Sequence, residues 1–156
     1  MTREIYLLAG DIGGTKPDMA VYSSRGGPHI PIAKTTVRSA DYPNLESAAT
    51  ALLEDVGMEV QAAAFGVAGP VVDGKVVGTN LPWSLDEAVL RPALRCEQLT
   101  LLNDLQAIAN AVPFFEGDDL LTLSAGDPAP GGVLAVVAPG PGLGAACLLF
   151  EQVRSP

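Results

Sequence analysis

The stretch GDIGGT, residues 10–15, carries the residue types of a phosphate-binding turn. Gly13 and Gly14 give the backbone conformational freedom and let main-chain N–H groups approach an anion without an intervening side chain. Thr15 can donate its hydroxyl to a phosphate oxygen. Asp11 repels phosphate directly, but through water it can hold the Mg²⁺ that accompanies a nucleotide. The same residues also suit an ordinary hairpin turn, and because the lysine follows the threonine, this is not a Walker motif.

A second glycine-rich turn, PGPGLGAA, covers residues 139–146 and offers the same backbone N–H groups behind an apolar run. Gly140, Gly142 and Ala145 also match the G-x-G-x-x-A fingerprint of dinucleotide sites. That fingerprint requires a long helix and an acidic residue about 20 residues further on, and the sequence shows neither. We therefore interpret this turn as a second phosphate site rather than a dinucleotide site.

Between the two turns, the stretch LLNDLQAIANA places Asn103 and Asp104 where a short apolar strand meets a helix. Ligands of open α/β sheets collect at the carboxyl ends of strands. An amide beside a carboxylate suits neighbouring sugar hydroxyls, and phosphoryl transfer uses a carboxylate to orient the accepting hydroxyl. Asn and Asp are also favoured helix caps, so a purely structural role stays open.

The elements that would position these residues follow from the spacing of apolar side chains. Predicted strands cover residues 5–9, 19–22, 30–37, 60–67 and 99–102, with a hairpin in VVDGKVV and a final pair around PGPG. Predicted helices cover residues 45–56 and 84–95, and a third begins behind Asp104. Three meandering strands followed by alternating helices and strands predict an α/β fold with a mixed sheet and helices on both faces.

Two of these elements have sharp local signals. Apolar residues recur at helical spacing over residues 45–56, Pro43 suits the first turn of that helix, and Gly57 suits its end. Asp73 and Gly74 lie between two pairs of valines, which is a strong signal for a short hairpin. These signals predict where the helix begins and ends and where the hairpin turns.

Composition excludes several classes of protein. The chain has 156 residues, 48% of them hydrophobic, and a net charge of −9. We therefore expect a globular protein that binds neither nucleic acid nor membranes, because both tasks call for a basic surface. The N-terminus MTREIYLLAGD contains too short an uncharged run for a secretory signal, which predicts a cytoplasmic protein.

The remaining reactive residues suggest no further chemistry. Cys96 and Cys147 have no metal-binding spacing, which predicts buried, reduced thiols. His29 is the one histidine, so a zinc cluster lacks ligands. Residues 128–150 carry no charge, but their prolines and glycines would break a membrane-spanning helix.

Three motifs taken together resemble the bacterial glucokinase family of the hexokinase/actin-like superfamily. They are LAGDIGGTK, GVAGPVVDGKVVGTNLPW and LLNDLQAIANAVP, which span most of the chain in this order. The resemblance implies a ribonuclease-H-like lobe of the actin-like ATPase type. It also implies ATP with Mg²⁺ as the phosphoryl donor, and glucose, or a similar hexose, phosphorylated at its 6-hydroxyl.

The resemblance also assigns roles to individual residues. The first phosphate motif comprises Gly10, Asp11, Ile12, Gly13, Gly14 and Thr15, with Asp11 toward the metal. The second comprises Gly140, Gly142, Leu143 and Gly144. The sugar-binding residues are Asn103, Asp104 and Asn80, and Asp104 takes the position of the catalytic base.

The chain departs from the family in composition and in length. Pro141 stands where the family has threonine, which removes a hydroxyl and a backbone N–H from the second turn. Pro17 follows the first motif, where it would weaken a strand unless it lies at the strand's start. The second lobe of the family, with its adenosine site, would lie beyond residue 156.

We therefore expect residues 1–156 to be a single N-terminal lobe that is catalytic only within a longer chain. Two alternatives stay open: a non-catalytic remnant with the same fold, and an ATPase of the same superfamily without a sugar substrate. Whether the chain forms a homodimer also stays open.

Overall fold

The structure is a computed structural model, and it describes residues 3–76, 81–127, 129, 131–139 and 143–149. The chain divides into two compact units, Met1–Asp104 and Leu105–Pro156.

The first unit is built on a five-stranded mixed sheet with the order β3-β2-β1-β4-β7. Its strands are β1 (Tyr6–Ile12), β2 (Asp18–Ser23), β3 (Ala33–Thr36), β4 (Ala62–Val67), β5 (Val71–Val72), β6 (Lys75–Val76) and β7 (Gln98–Asn103). Its helices are α1 (Leu45–Val56) and α2 (Glu87–Ala93). Strands β1, β4 and β7 run parallel, β2 and β3 are antiparallel additions, and β5 and β6 form a separate hairpin.

The core of this unit lies around the central strands. Leu8, Ile12, Phe65 and Val67 on β1 and β4 are almost completely buried, and burial of each such side chain contributes about 1.5–3 kcal/mol. Strand β1 extends three residues beyond the predicted end at residue 9, because Gly10 and Asp11 pair with strands on both sides and Ile12 pairs with Val67 of β4.

Helix α1 matches its predicted range. The Asn44 side chain accepts a hydrogen bond from Ser47 N at 2.9 Å, and Gly57 ends the helix with a φ of 63°. The left-handed conformation explains why glycine occupies that position. Because Asn44 is the N-cap, Pro43 precedes the helix, and its predicted place in the first turn is wrong.

The turn of the β5–β6 hairpin and the start of helix α2 are each determined by residues close in sequence. Asp73 and Gly74 both have positive φ, 49° and 71°, which is the turn type predicted for a two-residue hairpin. Helix α2 begins at Glu87, later than predicted, because the Asp86 side chain caps it by accepting from Ala88 N at 2.8 Å, and it ends at Ala93. Pro17 lies just before β2, so it removes no hydrogen bond from within that strand. Its side chain is fully buried.

The second unit contains an antiparallel hairpin of β8 (Leu134–Pro139) and β9 (Leu143–Leu148). Helix α3 (Asp104–Ala111) spans the boundary between the units. Among the described residues β8 and β9 pair with no third strand, and every second residue along each of them is exposed. The prediction that these two strands are buried is therefore wrong, with Val137 59% and Leu143 77% exposed.

Both cysteines are free thiols, as predicted. Cys96 is buried, and its burial raises the pKa of the thiol. Cys147 lies on the outward side of β9 and is exposed, so its predicted burial is wrong. No helix in the described part of the chain is long and apolar enough to cross a membrane.

Candidate functional site

The carboxyl ends of three parallel strands align at one edge of the first unit's sheet. Ile12 at the end of β1 pairs with Val67, and Val67 pairs with Asn103 at the end of β7. Two strand spacings, about 10 Å, therefore separate the first glycine motif from the start of α3. The structure thus brings together two sequence motifs that lie about ninety residues apart.

The electrostatics of Asp11 also indicate that these motifs are close. The pKa of its carboxyl is raised above the ordinary value of 3.8, first by desolvation and then by the negative charges of Asp104 and Asp18. Asp18 pairs with Asp11 across the β1–β2 ladder. Because Asp11 remains exposed, solvent screens part of this repulsion.

These carboxylates suit a divalent cation, whose charge would relieve their repulsion. Among the described residues, no group of three or more His, Cys, Asp or Glu side chains could hold a metal ion. A water-mediated ion of the kind predicted for Asp11 needs no such group, because Mg²⁺ keeps several of its waters.

The loop after β1 presents free backbone donors. In residues 3–76 and 81–127, the N–H groups of Gly13, Gly14, Thr15 and Lys16 donate no hydrogen bond. Gly14, Thr15 and Lys16 are exposed and Gly13 is partly exposed. Consecutive N–H groups without partners form a concave site for anions.

Gly13 differs from the glycine role predicted from the sequence. A Cβ added at Gly13 would meet no atom within 4 Å, so packing does not require glycine there. Neither Gly13 nor Gly14 has positive φ, so the folded loop does not use the left-handed conformations that glycine allows at these positions. Glycine instead leaves open space beside the N–H groups. A side chain would fill that space, whereas a phosphate could bind in it.

Gly10 and Ile12 have structural roles in β1. A Cβ at Gly10 would lie 2.7 Å from Phe65 Cδ1, which is too close for any residue except glycine. Ile12 is completely buried. Their predicted contribution to phosphate binding stays a prediction.

Asn103 and Asp104 lie at the junction that the sequence predicted. Asn103 ends β7, and its side-chain Nδ2 donates to Gly69 O at 3.1 Å. This bond ties the end of β7 to the loop that follows β4. Asp104 begins α3, where the positive end of the helix favours a carboxylate.

Several predicted site residues lie outside the described residues. They are Asn80, Gly140 and Gly142, together with the Pro141 substitution. Leu143 and Gly144 begin β9, and a Cβ at Gly144 would lie 3.0 Å from Leu105 Cδ2 within the second unit.

Ser39 contacts the first loop, and sequence reasoning missed it. Its hydroxyl donates to Gly14 O at 2.9 Å and, more weakly, to Thr15 O at 3.4 Å. No spacing rule connects a serine with a turn 24 residues before it, so this contact becomes visible only in the folded chain.

Taken together, the edge combines free N–H donors for an anion with carboxylates that could receive a proton. An anion on the loop would lie on the same edge as Asp104, where a hydroxyl group could be oriented between them. That arrangement suits transfer of a phosphoryl group to an alcohol.

Comparison with known proteins shows which family the chain is similar to. A sequence model of the glucokinase family matches residues 8–155. The glucokinases of Salmonella typhi and Cronobacter sakazakii are each 33% identical to the chain over 149 residues, which cover 96% of this chain and 46% of theirs. The chain thus spans about half the length of the curated relatives it matches.

Solved structures show the same fold. A glucokinase from an Antarctic psychrotroph superimposes with a TM-score of 0.83 at 31% identity, covering 96% of this chain and 48% of that one. A ROK family glucokinase from Streptomyces griseus, crystallised with glucose and AMPPNP, gives a TM-score of 0.64 at 21% identity, covering 96% and 46%. The predicted α/β fold of the actin-like ATPase type is confirmed.

Proposed function

The chain belongs to the glucokinase family, and we propose that it forms the N-terminal part of an ATP-dependent kinase that phosphorylates glucose on its 6-hydroxyl. The observation that carries this proposal is the shared sheet edge. There, the open N–H groups after β1 lie on the same side as the Asn103–Asp104 junction. We place the reaction in the cytoplasm.

Each part of the edge has a role in this proposal. The N–H groups of Gly13, Gly14 and Thr15 bind phosphate oxygens of ATP. Asp11 would hold Mg²⁺ through water, and the ion would supply positive charge to neutralise the phosphates. The predicted second phosphate motif, with Gly140, Gly142, Leu143 and Gly144, would complete the nucleotide site.

Asn103 and Asp104 act on the sugar. We propose that Asn103 and Asn80 orient sugar hydroxyls by hydrogen bonds. Asp104 accepts the proton of the 6-hydroxyl as the oxygen attacks the γ-phosphorus and ADP departs. A carboxylate suits this role because phosphoryl transfer uses one to orient the accepting hydroxyl, and Asp104 begins α3.

The proposal includes a second half of the enzyme. Phosphoryl transfer depends on positioning and on exclusion of water, and the matched glucokinases are about twice the length of this chain. We propose that activity requires the remaining half, supplied in the same chain or in trans.

The test joins residues 1–156 to the C-terminal half of the Salmonella typhi glucokinase and measures ADP release with Mg-ATP, with and without glucose. We expect glucose-dependent turnover from the chimera and none from the isolated chain. Asp104→Asn should lower kcat by about 10²–10⁴-fold, the usual contribution of a general base. Asp55→Asn, an exposed carboxylate on α1, is the matched control and should leave kcat unchanged.

Two outcomes would replace the proposal. A chimera that folds and binds glucose in calorimetry, but releases no ADP, would favour the non-catalytic alternative. ADP release that does not depend on glucose would favour an ATPase without a sugar substrate.

A further inference from the structure

We infer that Ser39 is a positioning residue that holds the first loop in the shape required for phosphate binding. This inference rests on the proposed function, since it assigns the support of the same site. Ser39 lies in the short 3-10 turn Ser39–Asp41, far from the loop in sequence.

Ser39 makes three contacts with the loop. Its Oγ donates to Gly14 O at 2.9 Å and to Thr15 O at 3.4 Å, and its backbone N–H donates to Thr15 O at 3.1 Å. Ser39 is only 7% exposed, so water competes little for these hydrogen bonds. Each of them is therefore stronger than the same bond on the protein surface.

Peptide geometry converts these contacts into an orientation of the donors. In a planar trans peptide, the N–H of one residue points opposite to the C=O of the residue before it. Holding Gly14 O and Thr15 O against Ser39 therefore directs the N–H groups of Thr15 and Lys16 away from Ser39. These are two of the N–H groups that have no partner in the described residues.

Ser39 is itself held in place by hydrogen bonds that lead to the core. Tyr42 N donates to Ser39 O at 3.3 Å, and Tyr42 O accepts a hydrogen bond from Trp83 Nε1 at 3.1 Å. Trp83 is buried. Ser39 is therefore anchored to the core through Tyr42 and Trp83, and through Ser39 the loop is anchored as well.

Serine suits this position because its hydroxyl is a short donor that can be shared between two carbonyl groups. Alanine has the same backbone donor but loses both side-chain bonds. Threonine keeps the hydroxyl. The pair Ser39→Ala and Ser39→Thr thus separates the hydroxyl from the rest of the residue.

The experiment titrates the ¹⁵N-labelled chain with inorganic tripolyphosphate in the presence of Mg²⁺ and follows the loop amides by NMR. We expect saturable shifts at Gly13–Lys16. Ser39→Ala should weaken binding about five- to tenfold, as expected for loss of the hydroxyl and its hydrogen bonds to Gly14 O and Thr15 O. Ser39→Thr should bind within about twofold of the parent chain.

Ser23→Ala is the matched control. Ser23 is 8% exposed, and its hydroxyl is also hydrogen-bonded, to Glu4 and to Arg25 N, but it lies at the opposite end of β2. Ser23→Ala and Ser39→Ala should lower the thermal midpoint by similar amounts, while only Ser39→Ala weakens tripolyphosphate binding.

The outcomes are distinct for the two claims. A folded Ser39→Ala chain that binds tripolyphosphate like the parent, with unchanged amide shifts at Thr15 and Lys16, would overturn the inference and leave the proposed function standing. A parent chain that binds no tripolyphosphate at these amides would overturn the phosphate role of the loop itself, and the inference with it.

Discussion

At the scale of single residues, Asp11 lies close to two other carboxylates. Folding raises the pKa of its carboxyl above 3.8, by desolvation and by the charges of Asp104 and Asp18. The folded chain therefore holds this proton at pH values where the unfolded chain has released it. The free energy of unfolding should consequently fall as the pH rises from 3.8 through the raised pKa.

Asp11→Asn should remove this part of the pH dependence and make the chain more stable at neutral pH. Urea unfolding of both chains between pH 3.8 and neutral pH measures the effect, with Asp55→Asn as the control for a lost surface charge. Identical pH dependence in the parent and in Asp11→Asn would contradict the prediction. Added Mg²⁺ should lower the pKa of Asp11 in the parent, because a nearby cation favours the carboxylate.

Gly10 and Gly13 look alike in the sequence but differ in the fold. Gly10→Ala should cost about 1–3 kcal/mol, because the new methyl group collides with the ring of Phe65. Gly13→Ala should change stability by no more than about 0.5 kcal/mol, because its Cβ meets open space, but it should weaken tripolyphosphate binding.

Urea unfolding and the NMR titration together test this pair. Equal stability losses in both variants would show that the motif is a single structural turn. The sequence could not separate the two glycines, because the atom that excludes a side chain at Gly10 belongs to another strand.

At the scale of elements, one carboxylate protects the outer strand of the sheet. Among the described residues strand β7 lies at the edge of the sheet, and Glu87 Oε1 at the start of α2 accepts from Leu101 N at 2.7 Å. Glu87 N also donates to Gly74 O at 2.9 Å. Glu87 thus joins the edge strand to the hairpin of β5 and β6.

Glu87→Ala should lower the free energy of unfolding by about 1–3 kcal/mol, because the buried Leu101 N–H loses its acceptor. Glu87→Gln keeps an acceptor oxygen and should cost less. Urea unfolding compares these chains with Glu54→Ala, an exposed position on α1. A loss in Glu87→Gln equal to that in Glu87→Ala would point to charge instead of the hydrogen bond.

Much of the element order could be predicted from local patterns, and the predicted order of strands and helices is confirmed. Errors arose where partners distant in sequence decide the outcome. Strand β1 continues through Gly10 and Asp11, which suggest a turn, because strands on both sides pair with them. Asn103 and Asp104 could be predicted as site residues because they follow a predicted strand. The role of Ser39 could not be predicted, because it depends on contacts between residues distant in sequence.

At the scale of the whole molecule, the two units differ in how their strands are supported. Strands β1 and β4 have paired neighbours on both sides, whereas β8 and β9 pair only with each other in the described part of the chain. An isolated two-stranded hairpin has marginal stability. Amide protons of β4 should therefore exchange with solvent far more slowly than those of β8 and β9.

Hydrogen exchange followed by NMR or mass spectrometry measures this difference directly. Equal protection of β4 and β8 would contradict the prediction and indicate that both units open in one cooperative step. In a chain joined to its second half, protection of β8 and β9 should rise while that of β4 changes little.

The buried indole of Trp83 has a spectroscopic consequence. It is the chain's only tryptophan, it is 6% exposed, and it belongs to the first unit. Its emission should be blue-shifted in the native chain and move to longer wavelength only when that unit opens. Fluorescence melts therefore follow the first unit alone, and a circular dichroism melt with an earlier onset would reveal loss of the second unit.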